Sequence, residues 1–270
     1  MLKNNLFLWV LATLITLISV VYQRVTGPTY PVKGSVEIEQ SSIAFKLHRS
    51  HSGNQDHCVK IVASDSKIQG KLLWKRYPVA EEWKEVNMTR EGDTLLGMLP
   101  NQPPAGKVEY RVVLSSCCQK VSLTGNNSVI LRFKGDVPFL YLLPHIVLIF
   151  AGMLFSMRAG LEVLSRNQSN KMLSLYSLFF ILVGGIAFGV IIQYYAFGAF
   201  WTGFPVGKDL TDTKTLVAFI FWVLAVVQTR KGKDARWWIL AASIVTLVVY
   251  LIPHSVLGSE LDYTAQQAIK

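Results

Sequence analysis

The stretch Pro138-Phe139-Leu140-Tyr141-Leu142-Leu143-Pro144-His145-Ile146-Val147-Leu148-Ile149-Phe150-Ala151-Gly152-Met153-Leu154-Phe155-Ser156-Met157 decides the class of this chain. It contains no Asp, Glu, Lys or Arg. About 20 apolar residues is the length of a helix that crosses the ~30 Å hydrocarbon core of a bilayer. Four further apolar runs follow the same plan: Leu6 to Tyr22, Met172 to Tyr195, Thr213 to Gln228 and Trp237 to Ile252. Composition agrees, because 51% of the 270 residues are hydrophobic and only 16% are charged, against ~25% charge in a typical soluble domain. A simple cytosolic enzyme and a disordered chain are both excluded. The expected fold is an α-helical integral membrane protein with five transmembrane helices and an inserted all-β sandwich as its outer domain.

The first run follows Lys3 and is not followed by a small-x-small cleavage site, so it reads as a signal anchor rather than a cleaved signal peptide. Orientation follows from the basic residues. Lys3, Arg158, Arg166, Lys171, Arg230, Lys231, Lys233 and Arg236 fall on one side of the runs. The positive-inside rule puts that side, with the N-terminus, in the cytosol and the C-terminus outside. The net charge of +10 is thereby read as a topology signal. With no basic stripe interleaved with aromatics, a nucleic-acid partner is not expected. The expected partition is a signal-anchor helix over 1–28, an outer domain over 29–135, and a four-helix bundle over 136–270. The bundle carries an outer loop over 196–212 and an outer tail over 254–270.

The cytosolic loops are too short for a catalytic or nucleotide-binding domain. The GxxxxGK[ST], HExxH and GxSxG patterns are all absent from the sequence. Gly152, Ser156 and Gly160, with Gly185 and Gly189, have the spacing of close helix packing, within one bundle or across a homodimer.

Residues 29–135 read as short alternating strands separated by Gly, Pro, Asn and Asp. Within them, Leu72-Leu73-Trp74-Lys75-Arg76-Tyr77 is followed by Trp83-Lys84-Glu85-Val86-Asn87-Met88, then Gly97-Met98-Leu99-Pro100, then Val108-Glu109-Tyr110-Arg111-Val112. This succession resembles immunoglobulin-like and fibronectin-III-like domains. The resemblance is confined to 29–135. It implies a β-sandwich, and binding or spacing more often than catalysis. Cys58 lies in an early strand and Cys117-Cys118 ends a late one. In an oxidising compartment Cys58 is expected to pair with Cys117 or its neighbour, the alternatives being no bridge or a metal or redox role. His48, His51 and His57 with Asp56 form either a solvated loop or a zinc or copper site.

One polar constellation stands on the outer side of the runs. His145 and His254 are candidate ligands of haem or a transition metal. Asp209, Asp212, Glu260 and Asp262 offer hard oxygen ligands suited to calcium or magnesium. The plainer readings are a helix cap at Thr211 or Asp212 and a hydrogen bond from His145 within the bundle. The leading functional expectation is a non-enzymatic membrane protein whose outer domain binds a protein partner or ligand within a membrane complex or homo-oligomer. The alternatives are a haem- or metal-binding electron-transfer subunit and a transport accessory subunit. The expected location is a bacterial inner membrane, with the β-domain in the periplasm.

Overall fold

The chain is described by a computed structural model covering residues 4–166, 168, 170–231, 234–254, 256 and 258–263. It divides into two units. The helical unit comprises residues up to 28 and 137–259; the β-domain comprises 29–136 together with 260–263. The end of the tail, read from sequence as part of the bundle, therefore belongs with the β-domain.

The helices are α1 (Asn5–Thr26), α2 (Phe139–Arg166), α3 (Lys171–Phe180), α4 (Phe188–Phe197), α5 (Leu210–Arg230) and α6 (Arg236–Leu251). A π-helical segment, Ile181–Ala187, joins α3 to α4, so that Lys171–Phe197 is one continuous helix. Among the described residues four of these helices are long and apolar enough to cross a membrane. The fifth, α6, has only 16 residues, about 24 Å at 1.5 Å per residue.

Helix ends are set by local chemistry. The Asn4 side chain accepts the Leu6 N–H, and the Asn170 side chain accepts those of Met172 and Leu173, satisfying donors that the first turn leaves open. At the other end of α4, Gly198 takes φ 75° and ends the helix in the left-handed region, where glycine carries no Cβ penalty. The α6 C-terminus is closed from outside. Gln23 Nε2 donates to the Tyr250 carbonyl, and the buried Lys214 ammonium donates to that of Ile252 at 2.7 Å. A cation there also complements the helix dipole.

Small residues set how closely the helices approach. A Cβ on Gly160 would lie 2.7 Å from Ser243 Cβ, and one on Gly184 would lie 2.7 Å from the Ile149 backbone nitrogen. The four-residue spacing on α2 is used inside this unit, where Ser243 Oγ donates to the Ser156 carbonyl. Gly184, not the Gly185–Gly189 pair, makes the tightest approach from the π segment. Charge also runs deeper than the sequence reading expects, because α2 continues past Met157 and buries Arg158 and Glu162.

The β-domain contains β1 (Val32–Ile38), β2 (Ser41–Leu47), β3 (Ser50–Ser52), β4 (His57–Val62), β5 (Gln69–Tyr77), β6 (Lys84–Asn87), β7 (Thr89–Glu91), β8 (Thr94–Leu99), β9 (Lys107–Ser115), β10 (Lys120–Ser122) and β11 (Val129–Lys134). Strands β1 and β2 pair as a hairpin. A larger sheet runs β3-β11-β9-β5-β6 with β10 on β9, and a third runs β4-β8-β7. All three share one hydrophobic core. The period-2 pattern of β9 turns Val108, Tyr110, Val112 and Leu114 inward, as alternating side chains of a strand must. Tyr110 keeps its buried hydroxyl paired by donating to the His48 carbonyl at 2.7 Å.

Candidate functional site

The polar constellation of the helical unit gathers around a loop. Asp209, not Thr211 or Asp212, caps α5, its Oδ1 accepting the Thr211 N–H at 2.8 Å. Its Oδ2 accepts from the Ser259 N–H and hydroxyl, both at 2.8 Å, and from the Thr202 hydroxyl at 3.4 Å. Asp212 Oδ2 accepts from the backbone N–H groups of Thr202 and Gly203 and from the Thr202 hydroxyl. Gln193, at 8% exposure, donates to Thr202 Oγ1 and Ser259 Oγ. The loop that these groups hold can turn this tightly only with glycine. A Cβ on Gly207 would sit 2.3 Å from the Thr202 carbonyl oxygen.

Of the four expected oxygen ligands, Asp209 and Asp212 come together, with both Asp209 oxygens and Asp212 Oδ2 accepting from N–H and O–H donors. Glu260 instead pairs with Lys107 in the β-domain, and Asp262 belongs to that unit too. Among the described residues, no group of three or more His, Cys, Asp or Glu side chains is arranged to hold a metal ion. His145 Nδ1 donates to the Gly184 carbonyl at 2.8 Å. That carbonyl lies in the π segment Ile181–Ala187. His254 lies exposed in the turn after α6.

Of the readings open for the cysteines, the structure has the one without a bridge, since none of the three is in a disulfide. Cys58 lies in β4, paired with β8, whereas Cys117 follows the end of β9 in the larger sheet. Cys117 and Cys118 are exposed, with sulfurs 3.7 Å apart. The Cys118 thiol and then the Glu39 carboxylate raise the Cys117 thiol above its ordinary pKa.

The three histidines of the β-domain form a packed cluster rather than a solvated loop. His51 Nε2 donates to the Gln55 carbonyl, which leaves its Nδ1 as an acceptor. His57 Nδ1 donates to that atom at 3.1 Å, and the buried His57 Nε2 then has no partner. Burial, then His51 and His48, lower the His57 pKa to about 4. The unfolded chain therefore takes up a proton near pH 6.5 that the folded domain refuses until about pH 4. Stability is complete above pH 6.5 and is lost as pH falls from 6.5 toward 4. Allowing for water at the exposed His48 side, the loss is on the order of 2 kcal/mol. Chemical denaturation at pH 7.5 and pH 5 should show it, and His57→Phe should flatten the dependence.

The outward face of β5, β6 and β9 carries the remaining unusual chemistry. Trp83, half-buried, receives the Lys75 ammonium at 5.0 Å and the Arg111 guanidinium at 4.8 Å from its ring centre. Lys75 also pairs with Glu109 at 3.4 Å, and Lys71 with Glu85 at 2.8 Å. Cross-strand register produces this face, with Leu73 opposite both Arg111 and Glu85. Sequence reading missed it because its members come from three separated segments. The one local signal was the strand alternation that places Lys71, Leu73 and Lys75 on one side.

No protein-family model matches this chain, and no curated protein matches it.

Proposed function

We propose that this chain is an integral membrane protein whose β-domain docks a protein partner within a membrane complex. The observation that carries the reading is Trp83 lying between Lys75 and Arg111 on the outward sheet face. Trp, Tyr and Arg are the residues enriched at binding hot spots. Rigid aromatic rings held by cations lose little entropy on binding, and the half-buried basic groups favour an acidic partner surface. The likeness of the domain to immunoglobulin and fibronectin-III folds is supported by strand order. β11-β9-β5-β6 and β4-β8-β7 follow the G-F-C-C′ and B-E-D arrangement of that architecture.

A photoreactive amino acid in place of Trp83 or Leu73, irradiated in native membranes, tests the reading. Discrete cross-linked species are expected from both positions. Monomer alone at both would remove it.

The membrane orientation belongs to the same proposal. Arg166, Lys171, Arg230, Lys231 and Arg236 flank one end of the helices, which supports N-in, C-out insertion by the positive-inside rule. The β-domain then faces the periplasm of a bacterial inner membrane. The exposed Cys117 and Cys118 report on this directly. A membrane-impermeant maleimide applied to intact spheroplasts at pH 8, where the raised Cys117 pKa hinders less, is expected to label the chain. Labelling that needs detergent would reverse the orientation.

A further inference from the structure

The described end of the tail is seated in the β-domain through a built notch. Ala105 adopts φ 68°, a conformation that costs a residue with a Cβ on the order of 1 kcal/mol, and its carbonyl accepts the Leu261 N–H at 3.2 Å. Gly106 follows. A Cβ there would lie 2.9 Å from the Tyr263 hydroxyl and 2.8 Å from the Pro103 carbonyl oxygen. Tyr263, 5% exposed, accepts the Lys107 N–H at 2.9 Å and donates to the Lys107 carbonyl at 3.0 Å. Its ring lies 5.4 Å from the Arg76 guanidinium, and Glu260 pairs with the Lys107 ammonium. Backbone pairing, a phenol read at both hydroxyl functions, an ion pair and a cation–π contact are the elements of peptide recognition.

We propose that this notch is a recognition site for an acidic segment bearing a tyrosine, filled in cis by residues 260–263 and open to the same chemistry presented by a partner chain. One observation supports exchange: the receptor side is shaped by its own backbone, at Ala105 and Gly106. An intramolecular occupant raises the threshold for an external one through its effective concentration. Lys107 lies opposite Tyr77 in the strand that also carries Arg111, so the notch continues the proposed docking face. The inference names the kind of segment that a partner presents, and it rests on the partner-binding reading.

The test uses the full chain in mild detergent and the labelled peptide acetyl-Gly-Ser-Glu-Leu-Asp-Tyr-amide, the sequence of residues 258–263. The Tyr263→Ala chain, whose notch has lost its phenol, is expected to bind the peptide at on the order of tens of micromolar. The unaltered chain should bind about tenfold more weakly, because its own tail competes. Peptides with alanine for the tyrosine or lysine for the glutamate should each lose about tenfold. Equal binding by the two chains, no binding by either, or indifference to the peptide tyrosine overturns the proposal. These results leave cross-linking at positions 83 and 73 untouched, so the two readings fail separately.

Discussion

Glu162→Ala is expected to destabilise the helical unit by about 3–5 kcal/mol. Arg158 and Glu162 are 3% and 6% exposed and form an i,i+4 ion pair on α2. The Arg158 guanidinium also donates to Asn5 Oδ1 and lies 5.5 Å from the Trp9 ring, so that it ties α1 to α2. Removing the carboxylate leaves a buried cation with only a neutral amide and a ring face. Truncating both partners is a different perturbation. Arg158→Met with Glu162→Leu removes two desolvated charges at once and is expected to be close to neutral. Detergent-titrated unfolding of the three chains separates the cases. Equal stability of Glu162→Ala and the unaltered chain would show that water reaches the pair.

The second large effect falls on the loop that Asp209 organises. Asp209→Ala removes the α5 cap, worth ~1 kcal/mol, together with acceptors for Ser259 and Thr202. Hydrogen bonds to a charged acceptor contribute roughly 1.5–3 kcal/mol each, but groups sharing one acceptor do not add. A loss of about 3 kcal/mol is expected. Asp209→Asn keeps a capping oxygen and should cost about 1 kcal/mol. Excess EDTA should leave the melting temperature of the unaltered chain unchanged, because both Asp209 oxygens and Asp212 Oδ2 already have donors. A drop in melting temperature on chelation would restore Asp209 and Asp212 as ligands.

The apolar runs were legible because hydrophobicity over contiguous residues is a local property. Each of the five lies almost entirely within one helix. The short strands from Ser35 to Phe133 were legible for the same reason. Missed were the three-residue strands β3, β7 and β10, which are too short to show a period. The Arg158–Glu162 pair left a local trace, a four-residue spacing of opposite charge. It went unread because the apolar run was closed at Met157.

The candidate site was legible as an inventory and not as an arrangement. His145, Asp209 and Asp212 stand out in the sequence, but their contacts depend on neighbours far away in the chain. Asp209 meets Ser259 across 50 residues, and Lys107 meets Tyr263 across 156. His145 finds the Gly184 carbonyl, 39 residues on. The sequence by itself determined the position of the apolar helices and the alternation of the strands, since these follow from the solvent preference of neighbouring residues. Only the tertiary structure decided that the carboxylates serve as caps and clamps, that Cys58 lies in one sheet and Cys117 just past a strand of another, and that the tail's tyrosine seats beside a glycine in the β-domain. Those outcomes turn on which backbone faces meet, and a hydrogen bond acts over 3 Å of space regardless of the length of chain between its partners.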